Sequence, residues 1–227
     1  MKIGILQAGH APDELRPSLG DYATLFVALL DGHGFEFVQY DVVDMVFPKD
    51  HTDCDGWLIT GSKHGVYEDL PFIPLLEQLV RDITAADLPL VGVCFGHQII
   101  AQALGGKVAK FKDGWAVGRQ VYDWNGQDIA LNAWHQDQVL TLPSGAEVVA
   151  SNRFCQYAAL VYGKQAFTVQ PHPEFDTAYT AGLARFRGPG VVPDAQLATV
   201  TDALDKPIDR GFLAAQIARF FKERTLA

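Results

Sequence analysis

Short apolar runs alternate with segments that have apolar residues at helical spacing along the first half of the chain. The short runs are typical of buried strands and the longer segments of amphipathic helices. The predicted strands cover residues 2–7, 35–43, 56–60 and 88–93, and the predicted helices cover residues 21–30, 71–83 and 99–104. Repeated strand and helix units predict a mostly parallel sheet flanked by helices, with ligands bound at the carboxyl ends of the strands.

The pattern changes in the second half of the chain. Residues 107–169 hold shorter apolar runs, with turn signals at Asn125-Gly126, Pro143-Ser144-Gly145 and Tyr162-Gly163-Lys164. These turns predict an antiparallel extension of the sheet. The apolar pattern of residues 195–225 predicts helix again, after a surface loop at residues 185–193. We therefore predict a single α/β domain over residues 1–227, with a core at residues 1–185 on which the C-terminal helical segment packs.

Composition narrows the class of protein. The 227 residues are 48% hydrophobic, which is enough for one large core. The formal net charge of -9 repels phosphate backbones and anionic lipids, so we expect neither a nucleic-acid partner nor a membrane partner. The start of the chain lacks the apolar region of a secretory signal, and three scattered cysteines suit reduced thiols. A cytoplasmic protein is expected.

One of these cysteines stands in a distinctive setting. The segment Gly92-Val93-Cys94-Phe95-Gly96 lies between a predicted strand and a predicted helix. Small residues on both sides of a nucleophile permit a sharp, strained turn that projects its side chain, and the helix N-terminus favours a thiolate and can hold an oxyanion. The alternative is a buried, inert thiol, which is the common fate of a free cysteine. Cys54 and Cys155 lack this setting and are interpreted as structural.

A thiol nucleophile needs a base and a group that orients the base. His172 follows an apolar strand in the segment Val169-Gln170-Pro171-His172-Pro173-Glu174-Phe175, where Glu174 could fold back onto the ring. Cys94, His172 and Glu174 then form a catalytic triad. The alternative is an ordinary turn with a solvated Glu174.

The other histidines and the known ligand motifs offer no competing site. His10, His33, His51 and His64 are expected in solvated loops, and His97 is expected to pack locally. No histidine pair has the spacing of a metal site on a helix, and no phosphate-binding loop is found. We predict no metal and no cofactor.

Three segments together resemble class I glutamine amidotransferase domains of the triad type, as in GMP synthase. They are VGVCFGHQ at residues 91–98, QPHPEF at residues 170–175 and TGSKHGVY at residues 60–67. The resemblance implies a flavodoxin-like fold and a reaction in which the Cys94 thiolate attacks the carboxamide of L-glutamine. Ammonia leaves, and water hydrolyses the γ-glutamyl thioester.

The resemblance also implies the remaining site residues. It assigns the oxyanion hole to backbone N–H groups of Gly61, Ser62 and Phe95. It assigns substrate contacts to Gln98 and to the loop residues Trp134, His135, Gln136 and Asp137. The sequence departs from the family pattern at Pro171, where phenylalanine is common, and at Ser62-Lys63-His64, where a second glycine and a proline are common.

Three functions remain open on these residues. The first is an amidotransferase subunit that passes ammonia to a separate synthase or acceptor subunit, since the sequence shows no synthetase or acceptor domain of its own. The second is a free-standing γ-glutamyl hydrolase or peptidase that acts on a small γ-glutamyl compound. The third is a non-enzymatic thiol sensor, which would not need His172 and Glu174.

Overall fold

The computed structural model of the protein describes residues 1–226. The strands are β1 (Lys2–Leu6), β2 (Glu36–Tyr40), β3 (Gly56–Ile59), β4 (Leu90–Val93), β5 (Lys107–Lys110), β6 (Ala116–Trp124), β7 (Gln127–His135), β8 (Asp137–Thr141), β9 (Glu147–Ser151), β10 (Ala159–Tyr162) and β11 (Ala166–Val169). The helices are α1 (Arg16–Leu19), α2 (Tyr22–Leu29), α3 (Phe72–Ala85), α4 (Phe95–Ala103), α5 (Thr177–Phe186), α6 (Asp194–Thr201) and α7 (Arg210–Glu223). Two short 3₁₀ turns, Val42–Asp44 and His51–Asp53, lie between β2 and β3.

A mixed nine-stranded sheet forms the centre of the fold. Its order is β2-β1-β3-β4-β11-β10-β9-β6-β7, and the first five strands in this order are parallel. The strands β3, β4 and β11 are completely buried, which explains their continuous apolar sequence. The predicted α/β class is confirmed. The carboxyl ends of these three neighbouring strands meet at one edge of the sheet, where the candidate residues follow.

The antiparallel extension is confirmed for β10, β9, β6 and β7. Three strands of residues 107–169 differ from that expectation. Strand β11 pairs in parallel with β4, with Val169 opposite Val93, and so belongs to the parallel core. Strands β5 and β8 form a separate two-stranded sheet. The apolar run of β11 is as short as its antiparallel neighbours, so the pattern alone does not reveal its place beside β4.

Helices cover both faces of the sheet because each has one apolar side. Helix α3 buries residues at helical spacing, including Leu76, Val80 and Ile83. Helix α7 buries Leu213, Ile217, Phe220 and Phe221, which is the apolar face expected from the sequence. Within residues 1–226, none of the helices has both the length and the apolar character needed to cross a membrane.

His10 differs from the expectation of a solvated residue. Its ring is only 31% exposed, with Nδ1 at 2.6 Å from Asp21 and Nε2 at 2.8 Å from Asp44. Burial works to lower the pKa of His10, but the two carboxylates outweigh it and the pKa is raised. His10 therefore ties the loop after β1 to the start of α2.

Candidate active site

The turn that carries Cys94 has the strained geometry predicted from the sequence. Cys94 has φ 53° and ψ −103°, in the region that favours glycine, between β4 and α4. A Cβ atom on Gly92 would lie 2.5 Å from the carbonyl oxygen of Gly96, so the two flanking residues meet where no side chain fits. The Cys94 side chain is 6% exposed and lines a cavity. The elbow geometry is confirmed.

His172 lies beside Cys94 because their strands are neighbours. Strand β11 runs parallel to β4, and His172 comes three residues after the end of β11. Its backbone N–H donates to the carbonyl oxygen of Asn132 at 2.8 Å. The following turn is held by Arg210 of α7, whose guanidinium donates to the carbonyl oxygens of Pro173 at 2.8 Å and Glu174 at 3.1 Å.

Glu174 stands behind the histidine, as the triad prediction requires. Its Oε1 lies 2.6 Å from Nδ1 of His172, and both side chains are almost fully buried. Burial works to lower the pKa of His172, whereas the Glu174 carboxylate and Cys94 raise it, and the net change is a raised pKa. The ring of Phe175 stacks on His172 at 4.0 Å between centroids. The imidazole is thereby fixed in orientation and favoured in its protonated form.

Replacing Glu174 with glutamine should lower the pKa of His172. The substitution keeps the shape of the side chain and removes the negative charge that stabilises the imidazolium, so a neutral ring should appear at lower pH. The measurement is an NMR titration of the imidazole ring. Glu223→Gln, which removes an exposed carboxylate paired with Arg219, is the control and should leave the titration of His172 unchanged. An unaltered His172 titration in Glu174→Gln would contradict this electrostatic role.

The backbone around Gly61 closes over the same two side chains. A Cβ atom on Gly61 would lie 2.9 Å from Cε1 of His172 and 3.7 Å from Cβ of Cys94. Gly61 follows β3, the other parallel neighbour of β4. Phe95 occupies the first position of α4, where a backbone N–H has no acceptor inside its own helix. Ser62 lines the cavity, and its Oγ accepts a hydrogen bond from the N–H of His64 at 3.1 Å.

Gln98 and Asp137 are joined in one network at the cavity wall. The side-chain amide of Gln98 donates to the carbonyl oxygen of Asp137 at 2.9 Å and to Oε1 of Gln170 at 3.0 Å. The hydroxyl of Tyr67 donates to the Asp137 carboxylate at 2.9 Å. Burial raises the pKa of Asp137, and the hydrogen bond from Tyr67 opposes this change. Since the donors of Gln98 are used within the protein, Gln98 fixes the position of Asp137.

The rest of the predicted substrate loop lines the same cavity. Trp134, His135, Gln136 and Asp137 contribute to its wall, and its volume is about 540 Å³. Burial and the neighbouring His172 lower the pKa of His135 to about 3, so its ring is neutral near pH 7. Nδ1 of His135 lies 3.3 Å from the carbonyl oxygen of Asp137, and Nε2 has no partner within residues 1–226. One cavity is therefore lined by the thiol of Cys94, the ring of His172 and the side chain of Asp137.

Sequence reasoning missed three residues of this site. Arg210 lies far along the chain in a helix predicted only as amphipathic, and Phe175 has a ring whose stacking no spacing rule reveals. Tyr67 belongs to the quoted segment of residues 60–67 but received no role. His97 bonds to Thr168 on β11 at 2.8 Å and is fully buried, away from the cavity. Within residues 1–226, no group of three His, Cys, Asp or Glu side chains is arranged to hold a metal ion.

Comparisons with known proteins identify the family of this chain. The sequence model of the family "Glutamine amidotransferase class-I" matches residues 31–182. A glutamine amidotransferase-like protein of Schizosaccharomyces pombe is 30% identical over 97% of this chain and 98% of its own length. Gamma-glutamyl peptidase 4 of Arabidopsis thaliana is 31% identical over 71% of this chain and 70% of its own length. The crystal structure of a glutamine amidotransferase from Thermotoga maritima superposes with a TM-score of 0.74, at 18% identity, over 98% of this chain and 97% of that one.

The fold and the elbow thiol define an α/β protein with a cysteine at the carboxyl edge of a parallel sheet. This chain belongs to the class I glutamine amidotransferase family. The family predicted from residues 60–67, 91–98 and 170–175 is confirmed, and so is the class of enzyme, an amidotransferase or hydrolase. The roles of individual site residues remain predictions.

Proposed function

We propose that this protein hydrolyses the γ-amide bond of a γ-glutamyl compound, with L-glutamine as the smallest substrate, through a Cys94 thioester. The observation that carries the proposal is the convergence of the strained Cys94 with the His172–Glu174 pair at the ends of two neighbouring strands. The sulfur of Cys94 bonds to the γ-carbonyl carbon, and the carbon–nitrogen bond breaks. The leaving nitrogen takes its proton from His172.

The second half of the reaction uses the same residues. Water attacks the thioester carbon, His172 accepts a proton from that water, and glutamate leaves as the sulfur of Cys94 is released. Glu174 orients the ring of His172 and stabilises its charged form. Backbone N–H groups of Gly61, Ser62 and Phe95 stabilise the oxyanion that forms at each attack. This role is supported by the approach of Gly61 to Cys94, by the place of Phe95 directly after Cys94, and by Ser62 in the cavity wall.

The glutamyl end of the substrate is proposed to lie against the loop of residues 134–137. The carboxylate of Asp137, held by Tyr67, is an acceptor suited to an α-ammonium group. Trp134 and Gln136 complete the wall. Gln98 acts through Asp137, which it positions by a hydrogen bond to the backbone.

Two destinations of the released amine follow from the family. In an amidotransferase subunit, ammonia passes to a separate synthase, and hydrolysis of glutamine is slow until that partner binds. In a free-standing γ-glutamyl hydrolase, hydrolysis needs no partner. The γ-glutamyl peptidase relative and a cavity of about 540 Å³, within the range of about 300–1,000 Å³ that accommodates drug-sized ligands, support the second destination.

The test is a covalent trap. The purified protein is incubated with glutamine and with several γ-glutamyl amides, quenched in acid and examined by mass spectrometry for a glutamyl adduct. We expect the adduct on the peptide that contains Cys94, together with release of glutamate and amine. An adduct on Cys54 or Cys155 instead, or no turnover of any γ-glutamyl compound with or without candidate synthases, would refute the proposal.

The proposed chemistry also indicates the cellular compartment of the enzyme. It requires a reduced thiol, and the three cysteines of the chain are free and buried. These free thiols support the cytoplasm as the compartment in which the enzyme acts.

A further inference from the structure

The cavity at Cys94 has a second half that the proposed reaction with glutamine does not use. The polar half contains the loop of residues 134–137, together with Tyr67 and Glu68. The other half is lined mainly by apolar and aromatic side chains, which are Tyr22, Trp115, Leu183, Phe186, Pro189 and Val191. Trp134 belongs to the loop and also packs with Trp115 against one cluster, so it lies at the boundary between the halves. Arg187 is the charged residue on this side. Two chemically different halves therefore share one cavity.

The apolar half of the cavity is held in place by side-chain packing and by a hydrogen bond. Trp115 and Trp134 pack against a cluster formed by Val117, Val192 and Val200. Val200 belongs to α6, so this helix contributes to the packing that holds both indole rings. The side-chain amide of Gln196 in α6 donates to the carbonyl oxygen of Trp115 at 3.3 Å. The residues 185–193, expected from sequence to be a surface loop, supply the outer wall.

The outer wall lies beyond the segment that the family model matches. The family match ends at residue 182, whereas Leu183, Phe186 and Val191 and the supporting helix α6 follow it. Phe186 and Val191 are 41% and 56% exposed, and the guanidinium of Arg185 lies 4.9 Å from the ring centroid of Phe186. Covering an exposed aromatic ring at a cavity mouth with an apolar group is favourable, because apolar surface is removed from water.

We propose that this apolar half binds the leaving amine of the substrate, and that the enzyme selects γ-glutamyl amides of apolar, ring-bearing amines over glutamine. The inference rests on the proposed function, because the Cys94 sulfur must attack the γ-carbonyl between the two halves. The bond that breaks is the same carbon–nitrogen bond, and the amine leaves with a proton from His172 and the apolar group it carries. Phe186 and Trp115 are the residues that determine specificity.

The test compares three substrates that differ only in the leaving group: glutamine, γ-glutamyl methylamide and γ-glutamyl benzylamide. Methylamine and benzylamine are both aliphatic amines, so bulk and apolar surface are the main difference between the two substituted amides. We expect kcat/KM for the benzylamide to exceed that for the methylamide by at least about tenfold, since even one methylene in an apolar pocket changes kcat/KM by about tenfold or more.

Phe186→Ala should reduce this benzylamide preference about tenfold, with a larger fall in kcat/KM for the benzylamide than for the methylamide or glutamine. Trp115→Ala provides a second, independent variant of the same wall. Leu75→Ala, which truncates a side chain that is 49% exposed and does not line the cavity, is the control and should retain the preference. Equal kcat/KM values for the two substituted amides, or an unchanged ratio in both wall variants, would overturn the inference while leaving glutamine hydrolysis and the proposed function intact. Failure of the wild type on all three substrates, with and without candidate synthases, would overturn both.

Discussion

Cys94→Ala is expected to lower kcat/KM for γ-amide hydrolysis by at least about 10⁴-fold, because the variant lacks the atom that forms the thioester. Alanine keeps the Cβ atom, so the strained backbone at φ 53° carries the same steric demand in both proteins. The loss should therefore reflect chemistry and not a change in the turn. Release of glutamate under saturating and limiting substrate provides the measurement, with the unfolding midpoint as a check on folding.

Cys155→Ala is the matched control for that loss. Cys155 is 2% exposed, and burial raises the pKa of its thiol to about 12, which keeps it protonated and unreactive near neutral pH. Removing its sulfur should affect packing and stability, with activity retained. A Cys94→Ala variant as active as Cys155→Ala would exclude the thioester mechanism.

The strand-to-helix elbow could be predicted from sequence because its cause is local. Gly92 and Gly96 are small since their backbones approach each other, and that requirement acts over five consecutive residues. His172 could be predicted for a related reason, since it follows an apolar run that had to be a strand. The sequence pattern thus locates both side chains at strand ends before any distance is known.

The contacts that fix these side chains could not be predicted in the same way. Arg210 binds the turn of Pro173 and Glu174 only because α7 docks beside it, and an amphipathic pattern defines the buried face of a helix without naming its partner. The parallel pairing of β11 with β4 could not be predicted either, because residues 107–169 contain several short apolar runs and the pattern does not show which one pairs with β4. The apolar half of the cavity arises from residues 183–200 folding back over β6, which no local signal indicates.

Gly96→Ala is expected to destabilise the protein by about 2 kcal/mol, from the upper end of the overpacking range, although alanine is the better helix former. A Cβ atom on Gly96 would lie 2.3 Å from the carbonyl oxygen of Ile59, a backbone atom of β3. Alanine in a helix is favoured over glycine by about 1 kcal/mol, whereas overpacking costs about 1–3 kcal/mol and occasionally more. Since β3 is fixed between β1 and β4, the oxygen cannot move aside, and the overpacking should dominate.

The same substitution should lower kcat/KM about a hundredfold in the molecules that remain folded. To relieve the contact, the first turn of α4 must move away from β3, which separates Cys94 and the N–H of Phe95 from Gly61, and a misplacement of about 1 Å can cost about 10² in rate. Gly211→Ala is the matched control, because Gly211 also lies in a helix but a Cβ atom there would meet nothing within 4 Å. Urea unfolding should give Gly211→Ala a free energy of unfolding equal to or above that of the wild type. If Gly96→Ala were as stable and as active as Gly211→Ala, the close approach of α4 to β3 would have no part in holding the nucleophile in place.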